Sequence, residues 1–121
     1  MSEYCSVRIW QLKDGASAAE LETLARDGIA EMYCWIPGVE RFSLMCLAAQ
    51  PETRYLTLVT FRDYSAYLSW RRVEDEGPDY WERFASVFMH WEQVARLVEE
   101  YHGDSFLLME LDRQEQAGKR T

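Results

Sequence analysis

The sequence predicts an α+β fold of the ferredoxin-like split βαβ type. Its four-stranded antiparallel sheet carries helices on one face. Three observations predict it. Hydrophobic periodicity along the chain alternates between two and 3.6 residues in the order β-α-β-β-α-β. Gly77-Pro78 breaks the second helical unit in two, giving β-α-β-β-α-α-β. The strands carry large apolar residues on both faces, more than one layer of helices can cover. Residues 1–111 read as a single domain that would dimerise sheet to sheet as an α+β barrel, and residues 112–121 as a polar tail.

The first strand is Ser6 to Lys13, with Val7 and Ile9 on one side and Arg8, Trp10 and Leu12 on the other. Asp14-Gly15 ends it. Ser17-Ala18-Ala19-Glu20 is a capping box, in which Ser17 accepts from the Glu20 amide and the Glu20 carboxylate returns to the Ser17 amide. Leu21, Leu24, Gly28, Met32 and Trp35 then mark one face of a helix, which stops near Trp35 because Pro37 disfavours helical geometry at Ile36. Val39 to Ala48 is the second strand and Arg54 to Phe61 the third, joined closely enough to be an antiparallel hairpin. Asp63 to Glu76 is helical. Asp79-Tyr80-Trp81-Glu82 restarts a helix whose stripe runs through Phe84, Val87, Trp91, Val94, Val98 and Tyr101 to a stop at His102-Gly103. Ser105 to Leu111 is the fourth strand.

Length and charge narrow the function. A chain of 121 residues and 14.3 kDa suits one domain. Its 21 acidic and 13 basic residues give a net charge of −8, which argues against nucleic acid and anionic membrane surfaces as partners. No apolar run reaches a membrane span of ~18 residues. The start Met1-Ser2-Glu3-Tyr4-Cys5 lacks the features of a signal peptide, so a cytoplasmic protein is expected. Cys5, Cys34 and Cys46 form no CxxC pair and read as reduced, structural thiols. His90 and His102 form no HExxH, and His102-Gly103-Asp104 reads as a helix-exit turn, so no metal is expected. GxGxxG, P-loop and GxSxG motifs are lacking, which disfavours nucleotide binding and serine hydrolysis.

On the strands, Tyr55, Val59 and Phe61 oppose Leu56 and Leu58, while Phe42, Leu44 and Cys46 oppose Val39, Met45 and Leu47. In the fourth, Phe106 and Leu108 oppose Leu107, Met109 and Leu111. With helices on one side only, the other would be an apolar patch of several hundred Å², more than a soluble monomer usually exposes. A second copy is the simplest cover.

Two segments carry a family resemblance: Ile36-Pro37-Gly38-Val39 at the helix-to-strand turn, and Phe61-Arg62-Asp63-Tyr64-Ser65-Ala66-Tyr67-Leu68-Ser69-Trp70 after the third strand. With the element order, they make the chain resemble the dimeric α+β barrel superfamily, most nearly the antibiotic biosynthesis monooxygenase (ABM)-like families. The resemblance covers about residues 6–111. It implies a homodimer with a pocket between sheet and helices. The activities it implies include cofactor-independent oxygenation of quinols and related aromatics, haem degradation, and isomerase or binding roles. Haem-degrading members carry a His about ten residues after a Trp like Trp70. Here that place holds Tyr80, so the haem-ligand role does not carry over.

His90 is the candidate general base, beside the apolar stripe and next to Trp91. Its competing reading is a boundary His bonded to a carbonyl or carboxylate. Arg8 and Trp10 share one strand face, where Arg8 would hold an anionic or enolate oxygen or else pair with Glu40 or Glu110. With Tyr33, Tyr67, Trp70 and Trp91 they form the candidate substrate-binding set. Tyr55 and Tyr80 also offer hydroxyls, and Trp35 and Trp81 further aromatic surface, although core packing explains these rings better and without a ligand. Glu74-Asp75-Glu76 reads as a solvated loop and Arg71-Arg72 as surface ion pairs. The expected function is a small ABM-like homodimer with an apolar pocket, acting without a cofactor as a monooxygenase on an aromatic or quinol-like compound. The alternatives are a non-catalytic ligand-binding or regulatory dimer, and haem binding or degradation.

Overall fold

The computed structural model describes residues 3–48 and 52–105. Strand β1 (Glu3–Leu12) leads to one continuous helical arm made of α1 (Ala18–Leu24), a π-helical turn (Ala25–Ile29) and α2 (Ala30–Cys34). Strands β2 (Val39–Ala48) and β3 (Thr53–Phe61) follow, then α3 (Tyr64–Glu76), α4 (Pro78–Val94) and β4 (Ala95–Ser105). The sheet order is β2-β3-β1-β4, all neighbours antiparallel. This is the split βαβ topology that the element order predicts. Among the described residues no helix is long and apolar enough to cross a membrane.

Local chemistry starts and stops the helices. Ser17 Oγ accepts from the Glu20 amide at 3.4 Å, as a capping residue should. The Glu20 carboxylate does not complete the expected box; it lies 2.6 Å from His90 on α4. Asp63 caps α3 by accepting from the Ala66 amide at 2.8 Å. Gly77, extended, stands between α3 and α4. The second helix therefore restarts at Pro78, one residue before the expected acidic cap.

The largest departure lies at the fourth strand. The expected helix to Tyr101 ends at Val94, and Ala95–Ser105 is the strand. The 3–4 spacing of Val94, Val98 and Tyr101 continues the stripe of α4. Without Ala95–Ser105, however, the whole length of β1 would be left with one unpaired edge. Pairing from Glu3↔Ser105 to Leu12↔Ala95 satisfies those groups and overrides the local periodicity. A bulge between Ile9 and Trp10 absorbs one extra residue of β4. His102-Gly103 is strand, not a helix exit. Of the segment Ser105–Leu111, only Ser105 falls within the described residues.

Alternation decides which residues meet the helices. Tyr4, Ser6 and Trp10 of β1 and Tyr55, Thr57, Val59 and Phe61 of β3 are buried beneath them. Val7, Ile9, Leu56 and Leu58 face the other way, opposite one another in pairs. Met45, Leu47 and Tyr101 extend that second face, at 57%, 37% and 60% exposure. Both faces of the sheet are therefore apolar, as the sequence predicts. The cysteines differ from expectation: Cys34 and Cys46 are exposed, on the end of α2 and on β2, and only Cys5 is half-buried.

The turn into β2 depends on Gly38, whose φ is +98° and whose missing Cβ would sit 2.7 Å from Ala66 Cβ. Gly38→Ala meets both the left-handed backbone penalty and that clash. Its expected cost is about 2 kcal/mol, read as a lower thermal midpoint. An unchanged midpoint would contradict the geometry.

Candidate active site

Between the sheet and the helices, Arg8, Trp10 and Thr57 from the strands face Ile29, Met32, Tyr33, Phe88 and Trp91 from the helices. The space among them is about 10 Å³, barely room for one water. The core centre is therefore filled by side chains. Trp10 stands edge-on to Trp91 at 5.4 Å and donates its indole N–H to Thr57 Oγ1 at 2.9 Å.

The open space lies on the other side of Arg8 and Trp10. A cleft of about 500 Å³ is lined by those two residues, Phe88, Lys13 and Glu92, by Glu74 at the end of α3, and by Arg96, Leu97 and Glu100 of β4. Arg8, Lys13 and Arg96 balance Glu74, Glu92 and Glu100 (3 − 3 = 0), so its charged lining is neutral. Arg8 lies 12% exposed between the two spaces. Its guanidinium stands 5.9 Å over the Trp70 ring, and its Nε is 3.5 Å from Glu100 Oε2. Of the partners expected for it, Glu40 is exposed on β2, and Glu110 lies outside the described residues.

Two polar atoms of the cleft wall, Arg8 Nε and Glu74 Oε2, are buried without a hydrogen-bond partner, Arg8 Nε having only its ion-pair contact with Glu100, while the Tyr80 hydroxyl and the Trp70 indole behind them bond each other. Buried polar groups normally find partners, so this wall of the cleft is suited to polar contacts. Burial raises the Tyr80 hydroxyl well above its ordinary range, helped by the nearby Glu74 carboxylate and Tyr33. Tyr33 is pushed up to about 12, again chiefly by burial. Both therefore stay protonated donors at neutral pH.

Glu74 corrects the solvated-loop reading of residues 74–76. It closes α3 with its side chain only 12% exposed, Oε1 3.8 Å from Arg71, and its backbone carbonyl accepting from Trp81 Nε1. Burial raises its carboxyl above the usual range against the pull of Arg8 and Arg71. A carboxyl raised by folding adds stability that is whole below its unfolded pKa and is lost as pH rises through its folded pKa. Glu74→Gln, which cannot ionise, is expected to gain stability relative to wild type between about pH 4 and about pH 8. Urea melts at the two values check this; an equal difference at both would contradict it.

Of the candidate residues, Arg8, Trp10, Tyr33, Trp70 and Trp91 come together. Tyr33 and Trp70 are 5.8 Å apart. Tyr67 stands behind them, 5.9 Å from Trp70 and stacked on His102 at 5.3 Å. His102 Nδ1 lies 2.5 Å from the Tyr4 hydroxyl. His90 is placed elsewhere. While Trp91 turns inward, His90 turns out to Glu20 in a groove of about 490 Å³ between α1 and α4, which shares no lining residue with the Arg8 cleft. Sequence reading missed Glu74, Glu100 and Thr57. The alternation of β4 signals Glu100 only once that strand is placed correctly. Among the described residues, no three His, Cys, Asp or Glu side chains gather to hold a metal.

The fold is that of solved ABM-like and dimeric ferredoxin-like proteins. SnoaB from Streptomyces nogalater, a cofactor-independent oxygenase, is 18% identical over 92% of this chain and 98% of its own, with a TM-score of 0.61. HapK from Hahella chejuensis is 21% identical over 90% and 97%, with a TM-score of 0.63. A dimeric ferredoxin-like protein from an uncultured marine organism is 12% identical over 91% and 99%, with a TM-score of 0.57. No family model matches the chain, and no curated protein does. At these identities the likeness is one of fold.

Proposed function

We propose that the chain works as a homodimer that binds a neutral, enolisable or hydroxylated aromatic compound in the Arg8 cleft and oxidises it with molecular oxygen, without a cofactor. The observation that carries this is a cleft of balanced charge in which Arg8 and Glu74, both largely buried, stand together beside Trp10 and Phe88. The fold shared with SnoaB, a cofactor-independent oxygenase, supports the same reading.

The chemistry asks little of the protein. A substrate that has lost a proton passes an electron to oxygen, and the pair recombines as a hydroperoxide. Loss of water then turns a methylene into a ketone, so that one CH2 and one O2 give one C=O and one H2O with no outside reductant. Arg8, paired through Nε with Glu100, would hold the developing enolate oxygen through its guanidinium. Trp10 and Phe88 would flank the ring and Tyr33, Tyr67, Trp70 and Trp91 would back the cleft wall, keeping the site dry.

The open face of the sheet supports the dimer. Its centre is Val7, Ile9, Leu56, Leu58 and Met45, and its margins are polar: Glu3 pairs with Arg41 at 3.0 Å at one end, and Arg96 bonds Gln11 at 2.6 Å at the other. An apolar centre with a polar rim is the anatomy of an interface.

Titration of tryptophan fluorescence tests the ligand class. 1-Naphthol is expected to quench saturably, and 1-naphthoate to bind at least about tenfold more weakly, since its fixed charge loses its hydration in a cleft whose own charges already balance (about 1.4 kcal/mol per tenfold). Equal or tighter binding of the naphthoate would overturn the neutral-ligand reading.

A further inference from the structure

We infer that Glu74 is the base of this site, its Oε2 removing the proton from carbon or oxygen of the substrate while Arg8 receives the resulting enolate oxygen. The inference rests on the ligand reading above and deepens it. Three features of the geometry single out Glu74 over Glu100, the carboxylate paired with Arg8. Its Oε2 has no hydrogen-bond partner among the described residues, and Glu74 lines the cleft together with Arg8. Its Oε1 faces Arg71 at 3.8 Å, which steadies the group without engaging the reacting oxygen. Glu100, by contrast, is 37% exposed and lies against Arg8 at 3.5 Å, so its charge is already matched. Arg8 is thereby compensated by Glu100, and Glu74 keeps its basicity.

The surroundings of Glu74 act together on its proton. Arg71 and Asp75 face it from its own helix, Arg8 from β1 and Glu100 from β4. Tyr33 on α2 and Tyr80 on α4 lie close by as neutral hydroxyls. Burial outweighs the two arginines and raises the carboxyl, which brings a carboxylate nearer the basicity that proton abstraction at neutral pH needs. In the step itself the C–H or O–H bond breaks and its electron pair stays with the substrate as the enolate. The proton resides on Glu74 Oε2 until the hydroperoxide or water takes it back.

Proton removal can be read apart from oxygenation. 2-Tetralone carries a methylene acidified by both a ring and a ketone, and its exchange with D2O without oxygen is followed by NMR. The wild-type protein is expected to accelerate this exchange, with a rate that rises with pH through the Glu74 titration and then levels. Glu74→Gln is expected to lower the acceleration about a hundredfold and to lose that pH limb, while quenching by 2-tetralone persists within a few-fold. Glu74→Asp is expected to recover part of the rate with the limb restored. Wild-type exchange that survives in Glu74→Gln, or binding without any accelerated exchange, would overturn the assignment of the base alone. Failure of 2-tetralone to quench the wild-type protein at all would overturn the ligand reading and this inference with it.

Discussion

Leu58→Glu is expected to convert a dimer into a monomer. Leu58 lies on the open face of β3, opposite Val7 of β1 and Ser43 of β2. Two-fold symmetry would place the new carboxylate in the apolar layer twice. An unpaired charge in such a layer costs several kcal/mol, so the dissociation constant should rise by on the order of a thousandfold or more. Sedimentation equilibrium at micromolar concentration reads the result. Leu68→Glu on α3, already 43% exposed, is the control and should leave the dimer intact. A monomeric wild-type protein, or a dimer unmoved by Leu58→Glu, would contradict the sheet-to-sheet assembly.

The second large effect belongs to Trp70. It is 2% exposed and sits among Tyr33, Phe61 and Tyr67 at 5.6–5.9 Å, with Arg8 above its ring. Trp70→Ala empties the largest fully buried side chain from beneath the guanidinium. The expected cost is about 3–5 kcal/mol in urea unfolding. Trp70→Phe keeps much of the packing, so its cost should be smaller by about half or more. A loss below about 1 kcal/mol for Trp70→Ala would mean that the ring is not a keystone of this core.

The reach of the sequence follows from how local each signal is. Periodicity and caps act within a few residues, and they located β1, the Ser17 and Asp63 helix starts, β2, β3 and the break before Pro78. The π-helical turn has no such signature. It brings Gly28 against α4, where an added Cβ would lie 2.8 Å from Val87 Cγ1, and only the packed pair of helices makes that visible. The fourth strand failed for a related reason. Arg96 to Tyr101 suits a helix by itself, and only the unsatisfied edge of β1 turns it into a strand. The placement of β4 also decides what Arg8 meets, because Glu100 becomes its register partner only when that segment is a strand. The aromatic members of the site were legible because alternation on β1 puts Arg8 and Trp10 on one face wherever the strand goes. Glu74 was hidden because a run of three acidic residues reads as solvated until α3 and β4 are seen to enclose the first of them.

The most direct test of the account is oxygen uptake by the purified protein with 1,4-dihydroxynaphthalene, corrected for its spontaneous oxidation, for wild type, Arg8→Gln and His90→Ala. The Arg8 cleft predicts that the wild-type protein accelerates uptake. Arg8→Gln should lower that rate by on the order of a hundredfold, and His90→Ala, altering only the outer groove with Glu20, should leave it within about twofold of wild type. A rate that falls with His90→Ala and survives Arg8→Gln would move the reaction to the outer groove and contradict the site described here.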